Sequence, residues 1–283
     1  MSWIQGVPMA SSTRAVHCVL VATLVLALCS CQPQSSRPPA PTQSNFSLAV
    51  MGSTQTTPSL IAAASDDLLP DLVMLPLEAF QVRIEGNHKV LRFASNVFNQ
   101  GDGPLDLTGS RPNVQTPELK VTENILQADG GQRAAKTRAV MKFASVDGHN
   151  HFHVMDFQRL RLRPAESSNW RGAHKEGFCL RDDHNLGDKP SRFDDAHFRC
   201  GAGKKDVALH VRQGLSEGWV DVYDWYLAGQ YIDLEGLQLP GDFCVEATVD
   251  PHRLLVEETR DNNVASTLVH ISASDVSVVE QDC

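Results

Sequence analysis

Three histidines stand at every second position of the stretch DGHNHFHVMDF, at His149, His151 and His153. In an extended chain, alternate side chains share one face of the strand and lie about 6.5–7 Å apart along the backbone. Neighbouring imidazoles at this spacing can converge on one metal ion with modest bending. Phe152 and Val154 would point to the opposite face and anchor the strand in the core. A polar strand face with three solvated histidines is the alternative, but three at this spacing favour a metal site.

The type of metal follows only in part from these ligands. Imidazole nitrogen suits copper, zinc, nickel or iron, so the choice between copper and zinc stays open at this point. Three protein ligands leave coordination positions open, which is typical of a catalytic site rather than a closed structural one.

The elements that must position these histidines are predicted to be strands. Five short runs alternate or are rich in β-branched and aromatic residues: KVLRFASNVFN, HVMDFQRLRLRP, QYIDLEGL, DFCVEATVD and ASTLVHISA. Convincing amphipathic helices are few. The pattern predicts an all-β protein, a β-sandwich with long loops and little helix. Residues 108–136 show little periodicity, so we expect a long excursion or a poorly ordered loop there.

The composition and net charge of the chain limit which classes of molecule it can bind. With 283 residues, a formal charge of -9 and 42% hydrophobic residues, it is long enough for one sizeable core. An acidic balance argues against nucleic acid, because binding phosphate requires a basic face. The same balance is compatible with a cationic substrate.

The N-terminal region has the features of an export signal. An apolar run over residues 15–28 follows Arg14 and is shorter than the roughly 20 residues of a spanning helix. The sequence Leu28-Cys29-Ser30-Cys31 resembles a bacterial lipoprotein box, in which Cys31 would be lipidated. A plain secretory signal and a retained membrane anchor are the alternatives. We therefore expect an exported protein of the bacterial cell envelope, an outer-membrane or surface lipoprotein.

Domain boundaries follow from the change in composition after this signal. Residues 1–31 are the expected signal, and residues 32–65 are rich in Pro, Gln, Ser and Thr, as in a disordered tether. The folded domain is expected at residues 66–275, followed by a C-terminal tail at residues 276–283. Four cysteines lie beyond the tether, and in an oxidising compartment they favour disulfide bonds with three possible full pairings.

The histidine stretch HNHFH lies between LRFASNVFNQGDGPLDL and GAHKEGFCL, and together these segments resemble the catalytic domain of lysyl oxidases. The similarity continues through GLSEGWVDVYDWYLAGQYIDL and PGDFCVEATVDPHRLLVEETRDNN, and it covers roughly residues 69–271 in the family's order. It implies a copper-dependent amine oxidase on a β-sandwich, with His149, His151 and His153 as copper ligands. Val146 and Gly148 replace a family histidine and cysteine, which puts local rigidity around the metal in doubt.

The resemblance also implies a cofactor that the chain makes from itself, lysine tyrosylquinone, by crosslinking a lysine to an oxidised tyrosine. The two precursors fall on Lys175 and Tyr223, although Tyr226 and Tyr231 lie nearby. Asp221 matches the candidate general base and would share a strand face with Tyr223. The implied reaction converts a primary amine, peptidyl lysine or a small amine, to an aldehyde and releases hydrogen peroxide and ammonia.

Two structural features are implied in the same way. The family pattern favours a Cys179–Cys200 disulfide and allows Cys244–Cys283. It also suggests a calcium site, for which oxygen ligands are suitable, at five residues: Asp71, Leu72, Glu257, Asn262 and Asn263. Thr259 stands where the family has an aspartate, while Asp261 lies close by in the sequence. An Asx-rich turn without an ion is the alternative.

Two other functions compete with the oxidase. A catalytically silent metal-binding surface module would keep the sandwich and the histidines without forming the quinone. A zinc hydrolase would use the same histidines with a carboxylate base and would need neither Lys175 nor Tyr223. The presence of both Lys175 and Tyr223 favours the oxidase.

Overall fold

The computed structural model describes residues 66–145, 150–173, 175, 177–194, 200–201 and 205–283. The predicted export signal, the lipidation site at Cys31, the tether and His149 lie outside the described residues. Within the described part, no helix is long and apolar enough to cross a membrane.

Nineteen strands form in the described residues, each named here with its bounds: β1 Asp67–Leu68, β2 Leu72–Met74, β3 Glu78–Glu85, β4 His88–Ala94, β5 Val97–Asn99, β6 Leu105–Ser110, β7 Glu118–Gln127, β8 Gln132–Ala144, β9 His151–Met155, β10 Gln158–Pro164, β11 Arg171–Gly172, β12 Gly177–Phe178, β13 His184–Asn185, β14 His210–Leu215, β15 Trp219–Asp221, β16 Tyr231–Asp233, β17 Gly241–Val249, β18 Val264–Ile271 and β19 Val276–Gln281. The helical content of the described part is one 3-10 turn, Lys205–Val207. The all-β prediction with little helix is confirmed.

These strands pair antiparallel in four sheets. The largest runs in the order β12-β9-β8-β7-β6-β14, with β1 added to β7. The second runs β11-β10-β17-β18-β19, the third β13-β15-β5-β2 and the fourth β16-β4-β3. The strand β9 that carries two of the histidines therefore lies between β8 and the short β12, next to the edge of the largest sheet.

One apolar core joins the four sheets. Phe152 and Val154 of β9 are almost fully buried, and they pack in the same cluster as Leu162 of β10, Phe93 of β4 and Val97 of β5. Burying a side chain of this size stabilises the fold by about 1.5–3 kcal/mol. Because β9 is fixed by this core on one face, its other face is a rigid support for His151 and His153.

Two expectations about chain organisation are wrong. Residues 108–136 are not an excursion or a loop, because they contain the end of β6, all of β7 and the start of β8. Leu119, Val121 and Ile125 of β7 alternate into the core, and the buried Glu123 occupies the fourth inward position, which disguises the period of two. The expected tail also continues the fold, since β19 pairs with β18.

Candidate active site

Five of the predicted site residues line one cavity of about 170 Å³: His151, His153, Lys175, Asp221 and Tyr223. They come from β9, from the segment before β12, and from β15 with the residues that follow it. These five residues are called the histidine pocket below. The fold thus brings together residues that are up to 72 positions apart in sequence (151 to 223).

The two described histidines approach each other through the same ring atom. The Nε2 atoms of His151 and His153 are 2.9 Å apart, and the rings meet edge to face. This separation is a hydrogen-bond distance between the two rings. The same two nitrogens lie in one pocket, and imidazole is a suitable ligand for copper, so these residues fit a bound copper ion.

The extended conformation expected for the whole histidine stretch holds from His151 onward. His151 and His153 share one face of β9, and Phe152 and Val154 are buried on the other. Asn150 has a φ of 57°, in the left-handed region, so the described strand alternation begins at His151. The role of His149 as third ligand stays a prediction.

His153 needs a residue without a side chain beside it. Gly177 of β12 pairs with Met155 of β9, and a β-carbon at position 177 would lie 2.7 Å from the His153 Cβ. That distance is shorter than real side chains tolerate, so glycine at this position makes room for the imidazole.

Tyr223 and Asp221 form a buried pair. The Tyr223 hydroxyl lies 2.7 Å from Asp221 Oδ2 and 2.9 Å from the Cys179 carbonyl oxygen. Burial raises the pKa of Asp221 well above its usual value and also raises that of Tyr223. The hydroxyl has one proton for these two acceptors, so Tyr223 can donate either to Asp221 Oδ2 or to the Cys179 carbonyl oxygen.

Lys175 extends toward the ring of Tyr223. Its Nζ lies 5.6 Å from the centre of that ring and 5.1 Å from the centre of the Phe178 ring, and it donates to the Ala228 carbonyl at 3.4 Å. Burial lowers the pKa of Lys175 to about 8, although the negative charge of Asp221 opposes this shift. A neutral amine, which can act as a nucleophile, is thereby accessible near neutral pH.

Several groups that support this pocket were not predicted from the sequence. The Phe178 ring meets the Tyr223 ring edge to face at 4.9 Å, and the Cys179 carbonyl accepts from its hydroxyl. Arg181 and Asp183, paired at 2.8 Å, line both the histidine pocket and a neighbouring cavity of about 410 Å³. The motif GAHKEGFCL contained Phe178 and Cys179, but a backbone acceptor leaves no signal in residue type.

Both disulfide bonds form. Cys179–Cys200 was the preferred pairing, and Cys244–Cys283 the possible one. The first bridge is adjacent to the histidine pocket, because the Cys200 carbonyl accepts from the N–H of Phe152 between the two histidines. It therefore connects β9 to the residue whose carbonyl contacts Tyr223.

The five residues of the expected calcium site also meet in space. Asn262 Nδ2 donates to Asp71 Oδ1 at 2.9 Å, Asn263 Nδ2 donates to Glu257 Oε1 at 3.1 Å, and the Leu72 N–H donates to Glu257 Oε2 at 3.3 Å. Arg260, which the sequence analysis did not single out, donates from Nη1 to Glu257 Oε1 at 2.6 Å.

Comparison with known proteins places the sequence in one family. A family model described as lysyl oxidase matches residues 110–283. Protein-lysine 6-oxidase of Rattus norvegicus is 32% identical over 179 residues, which is 63% of this chain and 34% of the relative. The Sus scrofa protein of that name is 31% identical over 179 residues, 63% of this chain and 55% of the relative.

Lysyl oxidase homolog 1 of Homo sapiens is also similar, at 28% identity over 141 residues, 47% of this chain and 22% of the relative. The matched part of the chain thus spans between about a fifth and about half of the length of these curated relatives.

Proposed function

The chain belongs to the lysyl oxidase family, and from that premise we propose that it is a copper-dependent amine oxidase that converts primary amines to aldehydes with release of hydrogen peroxide and ammonia. The observation that carries the proposal is the position of Lys175 Nζ, 5.6 Å from the centre of the Tyr223 ring in a pocket with two converging imidazoles. A silent metal-binding module would require no such pair.

Two groups would come to this pocket in the active enzyme. His151 and His153, with His149, would hold copper, and Lys175 with Tyr223 would form lysine tyrosylquinone. When present, copper with O2 supplies the oxidation of the tyrosine ring, and the quinone supplies the electron sink for amine oxidation.

The chain's own residues prepare these events. Phe178, the Cys179 carbonyl and Asp221 fix the plane and the hydroxyl of Tyr223, so the ring is held in one orientation relative to Lys175. Burial keeps part of the Lys175 population unprotonated, which its attack on an oxidised ring requires.

Asp221 is the proposed general base for the substrate. Its carboxyl is fully buried beside Tyr223, and burial raises its pKa, so a proton taken from the carbon next to the substrate amine would be held there. The substrate class is a primary amine, either a small amine or a lysine side chain. Arg181 and Asp183 stand between this pocket and the neighbouring cavity and would meet the rest of the substrate.

The test compares variants of the two neighbouring tyrosines. Wild-type protein that is loaded with copper in air should develop a chromophore that reacts with hydrazines, and a tryptic map should join the Lys175 peptide to the Tyr223 peptide. Tyr223→Phe and Lys175→Ala should retain copper, yet lose the chromophore and peroxide production. Tyr226→Phe is the matched control for the cofactor, because Tyr226 is 62% exposed and does not line the histidine pocket, so the chromophore should still form.

A wild-type protein that stays colourless and uncrosslinked while folded and copper-bound would remove the oxidase proposal. The silent module would then be the better account. Zinc-dependent hydrolysis that survives Lys175→Ala would instead favour the hydrolase.

The location of the protein in the cell is a separate proposal, supported by the sequence Leu28-Cys29-Ser30-Cys31 and the polar segment after it. The protein would be an envelope lipoprotein anchored through Cys31. Cys31→Ser should move it from the membrane fraction to the soluble exported fraction, and identical fractionation of both forms would contradict the anchor.

A further inference from the structure

A partly buried arginine, Arg260, lies among the residues at which the family resemblance suggests calcium. Arg260 Nη1 donates to Asp250 Oδ2 at 2.7 Å and to Glu257 Oε1 at 2.6 Å, and Nη2 donates to the Leu255 carbonyl. The side chain of Glu257 is fully buried and that of Asp250 is 2% exposed. The name arginine cluster is used below for six residues: Asp71, Asp250, Glu257, Arg260, Asn262 and Asn263.

The carboxylate oxygens expected to bind calcium already accept hydrogen bonds from N–H groups. Asp71 Oδ1 accepts from Asn262 and Oδ2 accepts from Gln100 at 2.7 Å. Glu257 Oε1 accepts from Arg260 and Asn263. An ion that used these oxygens would have to displace the donors and would lie beside a guanidinium, whose positive charge repels it.

Leu72 contacts Glu257 through its backbone N–H group. Its N–H donates to Glu257 Oε2 at 3.3 Å, and an N–H group cannot bind a cation. This contact nevertheless joins β2 to the segment after β17. The Asn262 carbonyl accepts from the Met74 N–H at 3.0 Å and the Pro70 carbonyl accepts from the Glu258 N–H at 2.9 Å, so hydrogen bonds alone make the connection.

The residue types at this site also make it less negative than the family's site. Thr259 stands where the family has an aspartate, the nearby Asp261 is exposed, and Arg260 between them contributes one positive charge. Calcium has less negative charge to bind here and a competing cation to displace.

We infer that the Arg260 guanidinium supplies, as part of the chain, the positive charge that the resemblance assigns to calcium, and that the connection between β2 and the segment after β17 forms without a metal ion. The residues of the expected site are present, but their donors and charges do not fit the ion.

A rival account rests on two amide oxygens. Among the described residues, Asn262 Oδ1 and Asn263 Oδ1 are buried without a hydrogen-bond partner. Turning both amides over would point these oxygens at the carboxylates of Asp71 and Glu257, an arrangement that only a cation would stabilise. Calcium binding to the unmodified protein is therefore the outcome that would overturn the inference.

The experiment measures thermal unfolding of the full mature protein after treatment with a calcium chelator, with and without about 2 mM calcium, which exceeds the range of about 0.1–1 mM in which extracellular calcium modules bind. The unfolding midpoint should not change, because the native state has no site for the ion. A calcium-dependent rise in the midpoint, reversed by the chelator, would overturn the inference.

The charge itself is tested by Arg260→Gln, with Arg253→Gln as matched control. Arg253 is exposed in the same loop. Removing one partner of a buried ion pair is expected to lower the midpoint by roughly 10 °C relative to this control. Equal midpoints for the two variants would contradict a role for the guanidinium.

If Arg260→Gln does not fold, Arg260→Lys decides the question. This variant keeps the positive charge but not the forked geometry, so it should fold with a midpoint below that of wild type. An Arg260→Lys protein that also fails to fold would overturn the inference.

Discussion

The histidine pocket and the arginine cluster both bury carboxyl groups, and burial raises the pKa of Asp221 in the first and of Glu257 in the second, but they differ in the partner that each carboxyl meets. In the arginine cluster, two buried carboxylates are paired directly with a guanidinium at 2.6–2.7 Å. In the histidine pocket, burial shifts the pKa of Asp221 upward and that of Lys175 downward, so both groups are pushed toward their neutral forms. A direct ion pair favours the charged forms of both partners and stabilises the contact between two segments of the chain. Groups whose neutral forms are favoured can gain or lose a proton near neutral pH, as acid–base catalysis requires.

The largest expected difference between the two regions comes from replacing one aspartate in each. Asp221→Asn should lower the turnover of primary amines by about 10²–10⁴-fold, because the general base is lost, while the copper-dependent chromophore still forms. Asp250→Asn should leave turnover unchanged and lower the free energy of unfolding by about 2 kcal/mol, the value of a hydrogen bond to a charged group. Kinetics and denaturant titration of both variants check this, and a turnover loss in Asp250→Asn would break the contrast.

The second prediction concerns the two disulfide bonds, which close loops of 21 and 39 residues. Replacing both cysteines of either bridge by serine should cost about 3–4 kcal/mol of stability in each case. Only the loss of Cys179–Cys200 should also slow chromophore formation, because the backbone carbonyls of these cysteines hold Tyr223 and Phe152. Equal chromophore rates in the two double variants, measured under conditions where both are folded, would show that the pocket is independent of its bridge.

The smallest expected effect is the pH dependence of cofactor formation. With a pKa of about 8, the neutral form of Lys175 rises from about a tenth of the population at pH 7 to about nine tenths at pH 9. The rate at which the chromophore appears in copper-loaded protein should therefore increase about tenfold over this interval. A rate that is constant between pH 7 and pH 9 would mean that loss of the lysine proton does not limit the crosslink.

How far the sequence could predict the site depended on whether residue type carried the information. His151, His153, Lys175 and Tyr223 were identified because their side chains perform the expected chemistry and stand in recognisable motifs. The Cys179 carbonyl could not be found in this way, since every residue has a carbonyl. The function of Arg260 depends on Asp250 and Glu257, and only the fold shows that it lies between both carboxylates.

The strands could be predicted where the inward-facing positions carry apolar residues. KVLRFASNVFN and HVMDFQRLRLRP gave strands because their inward positions carry large hydrophobic side chains. The strand β7 was missed because Glu123 replaces an apolar residue at one inward position, and a buried carboxyl disrupts the pattern that identifies a strand. The left-handed backbone of Asn150 could not be predicted from the sequence either. The described strand begins after it, so the structure shows a shared strand face for His151 and His153.

The bare backbone at Gly177 gives a criterion for sorting relatives by sequence alone. Because a β-carbon there would lie 2.7 Å from the His153 Cβ and 2.8 Å from its Nδ1, every other amino acid must push that imidazole out of its present orientation. Suppose that a relative retains all three histidines, the lysine and the tyrosine but has a larger residue at this position. Its sequence would contain every expected ligand, yet the histidine that corresponds to His153 would have to adopt a different orientation. A glycine two residues after the lysine therefore distinguishes chains that can assemble this pocket from chains that merely carry its parts.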